Sequence, residues 1–246
     1  MEIGAQLYTV RDFMKTTDAL AETLKKVADI GYRVVQISAA CPYDPAWMRD
    51  RLAENGLRCV LTHTACDRLL AQPEAVCAEH EVYGCPNIGI GYYDIAKEGM
   101  NAFVEKFAPV GDILHKHGKQ LMYHNHDMEF ARLGDSILLQ QLAERFTPQQ
   151  LGITLDTFWV QAGGGDPADW LRRLAGRTPC IHLKDMGYGR TMQPIGEGNM
   201  NFDAILAAAL ETGVQYALVE QDDCNGEDPF ACLARSYRYL TACGLH

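Results

Sequence analysis

Two histidines spaced by one residue stand in the middle of the chain, in Tyr123-His124-Asn125-His126-Asp127, with Glu129 just beyond. The preceding Lys119-Gln120-Leu121-Met122 reads as a strand leaving a helix that stops at His117-Gly118. Alternate side chains of a strand share a face, so His124 and His126 point the same way. Imidazole is both a ready proton acceptor and the commonest metal ligand, and carboxylates close behind suit either role. Metal binding or proton transfer is therefore the first chemistry to expect here. A pair of packing histidines is the plain alternative, and the rest of the chain decides between them.

Other polar groups end strand-like runs at regular intervals. Gln6 and Tyr8 close Ile3–Tyr8, Gln36 and Ser38 close Arg33–Ser38, and His63 closes Leu57–His63. Asp156 closes Leu151–Asp156, His182 with Lys184 and Asp185 closes Pro179–Asp185, and Glu220 with Gln221 and Asp222 follows Tyr216–Val219. From His124 the steps are 32 residues to Asp156, 26 more to His182 and 38 more to Glu220, each about one strand-plus-helix unit. Four successive strands thus each present one candidate ligand. Mixed imidazole and carboxylate donors suit Mn²⁺, Zn²⁺, Fe²⁺ or Co²⁺ and leave Mg²⁺ open, whereas thiolate is absent from the set.

The elements that position these groups follow from periodicity. Helical spacing of apolar residues marks Thr17–Ile30, Pro45 to Asn55, Pro73–Tyr83, Gly99–His117, Ile137–Phe146, Asp166 to Leu174, Asn201–Thr212 and Asp228–Leu240. Asp166-Pro167 is a cap followed by a first-turn proline, and Pro109 is expected to kink or divide its helix. Asn87–Gly91 is the weakest strand because of its glycines. Eight alternations of strand and helix within 246 residues predict an α/β protein, a (β/α)8 TIM barrel spanning 1–246 as a single domain. An open doubly wound sheet would carry a glycine-rich phosphate turn after an early strand, and none is present. In a barrel, the C-terminal ends of the strands form the active-site mouth.

Composition narrows the partners. A net charge of −10 with no basic stripe argues against nucleic acid and anionic membrane surfaces. No apolar run approaches the length of a membrane span, and Met1-Glu2-Ile3-Gly4 does not open a secretory signal. Nine scattered cysteines, odd in number and without Cys-x-x-Cys, are expected as free thiols in a reducing cytoplasm.

The stretches Gln6-Leu7-Tyr8-Thr9-Val10-Arg11-Asp12, Tyr123-His124-Asn125-His126, Leu155-Asp156-Thr157-Phe158-Trp159, His182-Leu183-Lys184-Asp185, Gly196-Glu197-Gly198 and Val219-Glu220-Gln221-Asp222 together resemble the xylose isomerase-like barrel family. The family includes sugar and sugar phosphate isomerases and epimerases, inosose dehydratases and related lyases. The resemblance implies one divalent metal, Mn²⁺ first, held after strands five to eight by Glu, Asp, His and Glu. Asp156, His182 and Glu220 match the last three positions; His124 stands at the first in place of the usual Glu, with His126 and Glu129 as alternatives. In the family's epimerases two opposed glutamates trade a proton through a metal-stabilised enediolate; here Glu220 remains, and a histidine of the 124/126 pair replaces its partner.

The resemblance thus implies a metal-dependent isomerase or epimerase of a small carbohydrate or polyol ketone, with Glu220, His126 and Lys184 catalytic. Gln6, Tyr8, His63, Glu129, Trp159 and Gln221 are expected to meet substrate, Trp159 as an apolar wall against a sugar face. Elimination from a keto-inositol or 3-keto sugar, using the same metal, is the second enzymatic expectation. A barrel that binds sugar without catalysis is the third. A branch that cleaves abasic DNA is disfavoured by the acidic charge. Relatives are often dimers or tetramers, so a homo-oligomer is expected.

Overall fold

Every barrel strand places alternate side chains inside, and the inward positions can be read in ladders. The computed structural model describes residues 1–246. Its eight parallel strands are β1 (Glu2–Gln6), β2 (Val34–Ile37), β3 (Arg58–His63), β4 (Asn87–Ile90), β5 (Gln120–His124), β6 (Gly152–Asp156), β7 (Cys180–Leu183) and β8 (Tyr216–Val219). Each pairs with its neighbours in chain order and β8 closes onto β1, giving the expected (β/α)8 barrel.

Val34, Leu61, Met122, Cys180 and Leu218 form a small apolar plug inside the barrel. Two residues further along the same strands stand Gln36, His63, His124, His182 and Glu220. The plug therefore sets the floor on which the polar layer rests. The intervening residues, among them Val35, Tyr123, Leu155, Ile181 and Val219, face outward into the larger core beneath the helices. Parallel strands buried on both faces explain why these segments read as apolar runs up to their last residues.

The helices begin where the sequence places their caps. Asp44 accepts from Trp47 N–H ahead of Pro45, and Asp166 accepts from Asp169 N–H ahead of Pro167. One expectation is corrected. Pro109 does not divide its helix, which runs unbroken from Met100 to Lys116. Pro109 lies on the exposed face, where water can satisfy the carbonyl that its missing N–H leaves free.

Several short elements escape the periodicity. A 3-10 segment follows β1 (Leu7–Phe13), and short helices occupy Cys66–Ala71, Ile95–Glu98 and Thr157–Ala162. Two-stranded hairpins, Arg132–Leu133 with Ser136–Ile137 and Asp185–Met186 with Met192–Gln193, rise from the mouth. None is long enough to reveal a helical or alternating pattern.

Candidate active site

The site is built on four consecutive strand ends. His124, Asp156, His182 and Glu220 are all buried, and one ligand atom from each lies within 4.8 Å of all the others. The β6–β7 register sets Asp156 beside His182, and the β5–β6 register sets His124 beside Thr154. Asp156 divides its two oxygens. Oδ1 accepts from Trp159 N–H at 3.0 Å and so starts the Thr157–Ala162 helix, while Oδ2 faces the cluster. Asn125 Oδ1 in turn accepts from Asp156 N–H, tying the end of β5 to that of β6.

Both ligand histidines are anchored through their other ring nitrogen. His124 Nδ1 lies 3.1 Å from Gly91 O and His182 Nε2 lies 2.7 Å from Gln36 Oε1. A carbonyl can only accept, so each of these nitrogens carries the hydrogen. The lone pairs of His124 Nε2 and His182 Nδ1 therefore point at carboxylate oxygens: Asp156 Oδ2 at 3.1 and 3.6 Å, and Glu220 Oε2 at 2.9 Å from His182. Lone pairs and anions converging on one point could hold a cation beside the Lys184 ammonium that already meets Asp156 and Glu220. The donor set and its outer bonds fit a divalent metal ion. Electrostatics agree. Burial alone would lower the His182 pKa, but Glu220 and Asp156 outweigh it and raise it, favouring positive charge at that nitrogen. Burial opposes ionisation of Asp156 and Glu220 as well, yet Lys184 first and the histidines next hold both carboxyls well below their usual range.

Lys184 is buried with its ammonium 3.2 Å from Asp156, 2.9 Å from Glu220 and 2.9 Å from Asp222. Burial opposes its charge, and these three carboxylates more than restore it. Its Nζ also sits 5.7 Å from the centre of the Trp159 ring. Burial and the neighbouring Glu220 push Asp222 up to about 6 against the pull of Lys184.

Above the cluster opens a cavity of about 400 Å³ lined by Tyr8, His63, His126, Lys184, Glu220 and Asp222 among others. A second cavity of about 450 Å³, walled by Tyr43, His80 and Tyr83, holds none of the four cluster residues. His126 faces the mouth cavity with its ring centre 4.6 Å from that of His124 and 5.5 Å from that of Trp159. Burial, then the neighbouring His124, lowers its pKa to about 3. His63 stands 5.3 Å from the His124 ring and 5.7 Å from the His182 ring, with Nε2 unpartnered. Burial, followed by His124 and His182, keeps it well below the usual imidazole range.

Three residues expected at the substrate are engaged elsewhere. Glu129 is buried, accepting from Tyr123 O–H at 2.6 Å and from His126 N–H at 2.7 Å, so it braces the loop that carries His126. Gln6 donates to Glu220 Oε1 at 2.9 Å and accepts from Tyr8 N–H at 2.8 Å, which orients Glu220 from behind. Gln221 turns its amide to the carbonyls of Met192 and Asp223. Conversely Gln36 and Asp222, legible only as polar strand-end residues, anchor His182 and Lys184. The signal for both was the two-residue step from Val34 and Glu220.

The sequence profile of the xylose isomerase-like TIM barrel family matches residues 24–240. No curated protein matches the sequence. Among solved structures, a sugar phosphate isomerase/epimerase from Parabacteroides distasonis ATCC 8503 superposes with a TM-score of 0.83 at 22% identity, covering 98% of this chain and 93% of that one. An L-ribulose 3-epimerase superposes at 0.78 with 16% identity, over 98% and 94%. A probable 3-DHS dehydratase involved in petrobactin synthesis from Bacillus anthracis superposes at 0.74 with 14% identity, over 98% and 99%. At these identities the structural likeness establishes the fold, and the profile match establishes the lineage: the chain belongs to the xylose isomerase-like TIM barrel family.

Proposed function

We propose that this protein is a divalent-metal-dependent isomerase or epimerase of a small sugar or polyol ketone. The observation that carries the reading is the convergence of two carbonyl-anchored imidazoles with Asp156 and Glu220. His124 Nε2, Asp156 Oδ2, His182 Nδ1 and Glu220 Oε2 would hold the ion, Mn²⁺ being the first candidate. When bound, it supplies Lewis-acid polarisation of a carbonyl, which lowers the cost of removing a proton from the adjacent carbon.

The chain's own residues then handle the proton. Glu220 and His126 belong to strands three steps apart around the eight-strand ring and both line the cavity, so they approach a substrate from different sides. One of them takes the proton from carbon, and the other, first protonated from water at the open mouth, delivers a proton to the opposite face, inverting the centre. Lys184 keeps a positive charge beside Glu220 on the cavity wall, from which it would stabilise a developing enolate oxygen. Trp159 lies beside His126 and Lys184, and its indole face would suit the apolar side of a sugar ring.

A second reading is favoured by one feature: His124 occupies the strand-five end, so Glu220 has no opposing glutamate. Loss of a β-substituent after the same proton removal would then complete an elimination. Metal analysis after Mn²⁺ loading, followed by ¹H NMR of ketose and keto-inositol panels in D₂O, tests both. Solvent deuterium at carbon with an intact skeleton is expected; an unsaturated product replaces isomerisation with elimination. A protein that retains no divalent ion sinks both.

A further inference from the structure

We infer that the mouth takes an uncharged polyhydroxy carbonyl compound and discriminates against its phosphate esters. This rests on the isomerase reading above and narrows its substrate class.

The first observation concerns the glycine-rich loop after β7. Barrel enzymes commonly build phosphate cradles from backbone N–H groups in the loops after strands seven and eight. Here such a set of amides exists, but its anion belongs to the chain. Asp185 Oδ2 accepts from Gly196 and Gly198 N–H at 2.9 and 3.0 Å, and Oδ1 accepts from Met186 and Met200 N–H at 2.8 and 3.3 Å. Asp185 is buried. A Cβ on Gly198 would lie 2.3 Å from Asp185 Oδ1, so the loop is closed tightly around this carboxylate. A phosphate would have to displace it.

The second observation is the charge balance. Lys184 already faces Asp156, Glu220 and Asp222, all within 3.2 Å. Three carboxylates, one ammonium and a divalent ion cancel, leaving no positive charge unspent for a dianion. The nearby guanidinium groups are also committed. Arg11 donates to the carbonyls of Tyr8 and Asp222 and lies over the Tyr8 ring, and Arg190 pairs with Asp127. A phosphoryl group would therefore meet the Asp222 carboxylate at the cavity wall, where Lys184 is already paired and Arg11 is turned to backbone carbonyls.

The third observation is what the site does offer. His63 Nε2 and His126 Nδ1, on residues that line the cavity, are buried polar atoms without partners. Buried polar groups are rarely left unsatisfied, and hydroxyl groups, which both donate and accept, match this mixture.

The test uses the Mn²⁺-loaded full chain with paired probes: free pentuloses and hexuloses, and the terminal phosphate esters of the same ketoses. Binding is read by saturation-transfer NMR competition and turnover by solvent deuterium uptake. Free ketoses are expected to bind about 100-fold more tightly than their esters. Asp222→Asn, which removes one carboxylate facing Lys184, is expected to narrow that gap about tenfold. Esters that bind as tightly as free ketoses, with deuterium uptake preserved, overturn this inference and leave the isomerase reading standing. Metal-loaded protein that neither binds nor exchanges any member of either set removes the isomerase reading and the inference with it.

Discussion

His182 Nε2 donates to Gln36 Oε1 at 2.7 Å, a bond between β7 and β2 that joins residues 146 apart in the chain. It fixes the tautomer of His182 and so directs the Nδ1 lone pair at Glu220 and Asp156. Gln36 thereby governs a ligand that it does not itself become.

Gln36→Leu should keep the fold, since residue 36 lies on the barrel's buried interior, but release the His182 ring. Metal affinity is expected to fall about 10- to 100-fold, as for other outer-shell partners of ligating histidines. Competition titration against a chelator measures this, and unchanged affinity would remove the orienting role.

The two oxygens of Asp156 predict a split between two substitutions. Asp156→Asn retains a helix-capping oxygen and loses the anionic ligand, whereas Asp156→Ala loses both. Both variants should bind metal poorly. In metal-free thermal or urea unfolding, the alanine variant should be less stable than the asparagine variant by about 1 kcal/mol, the usual worth of an N-cap.

Lys184→Met should leave Asp156, Glu220 and Asp222 without the ammonium that neutralises them. Breaking such a buried set by removing one partner typically costs about 3–5 kcal/mol. A divalent ion binds the native state only and replaces the lost charge, so Mn²⁺ should raise the Tm of this variant more than that of the parent protein. Equal metal-induced shifts would show that the ammonium does not compensate these carboxylates.

His80 supplies a pH-dependent contribution away from the cluster. Its ring bonds Thr62 Oγ1 at 2.8 Å and Val76 O at 2.7 Å. Burial lowers its pKa from 6.5 to about 4, against the smaller opposing effect of the Val76 bond. Between these values the unfolded chain binds more protons than the folded one, so stability is fully present above pH 6.5 and is lost as pH falls toward 4. The loss from this group is about 3 kcal/mol. The difference between urea-unfolding curves of the parent and His80→Gln, followed from pH 7 to 4, isolates it; a constant difference would refute the assignment.

How much was legible differs from residue to residue. The two-residue step from Met122 to His124, or from Cys180 to His182, is written in the sequence, and it states which side chains share the barrel interior. Short elements were not legible. The Thr157–Ala162 helix that Asp156 caps spans 6 residues, too few to carry a hydrophobic period. The direction of Glu129 was not legible for a related reason: beyond the strand end, position along the chain no longer fixes direction, and the 3-10 turn folds Glu129 back onto the His126 N–H.

The sequence by itself determined the barrel and set His124, Asp156, His182 and Glu220 at successive strand ends, with His126 and Glu129 still open as alternatives to His124, because strand alternation and strand-plus-helix spacing are local properties of the chain. Tertiary structure alone decided which nitrogen of each histidine faces the cluster, that Asp185 fills the amide cradle after β7, and that Lys184 is shared among three carboxylates. The first and last of these depend on contacts between strands tens to hundreds of positions apart, and the Asp185 cradle on the folding of one irregular loop; no periodicity along a strand encodes either.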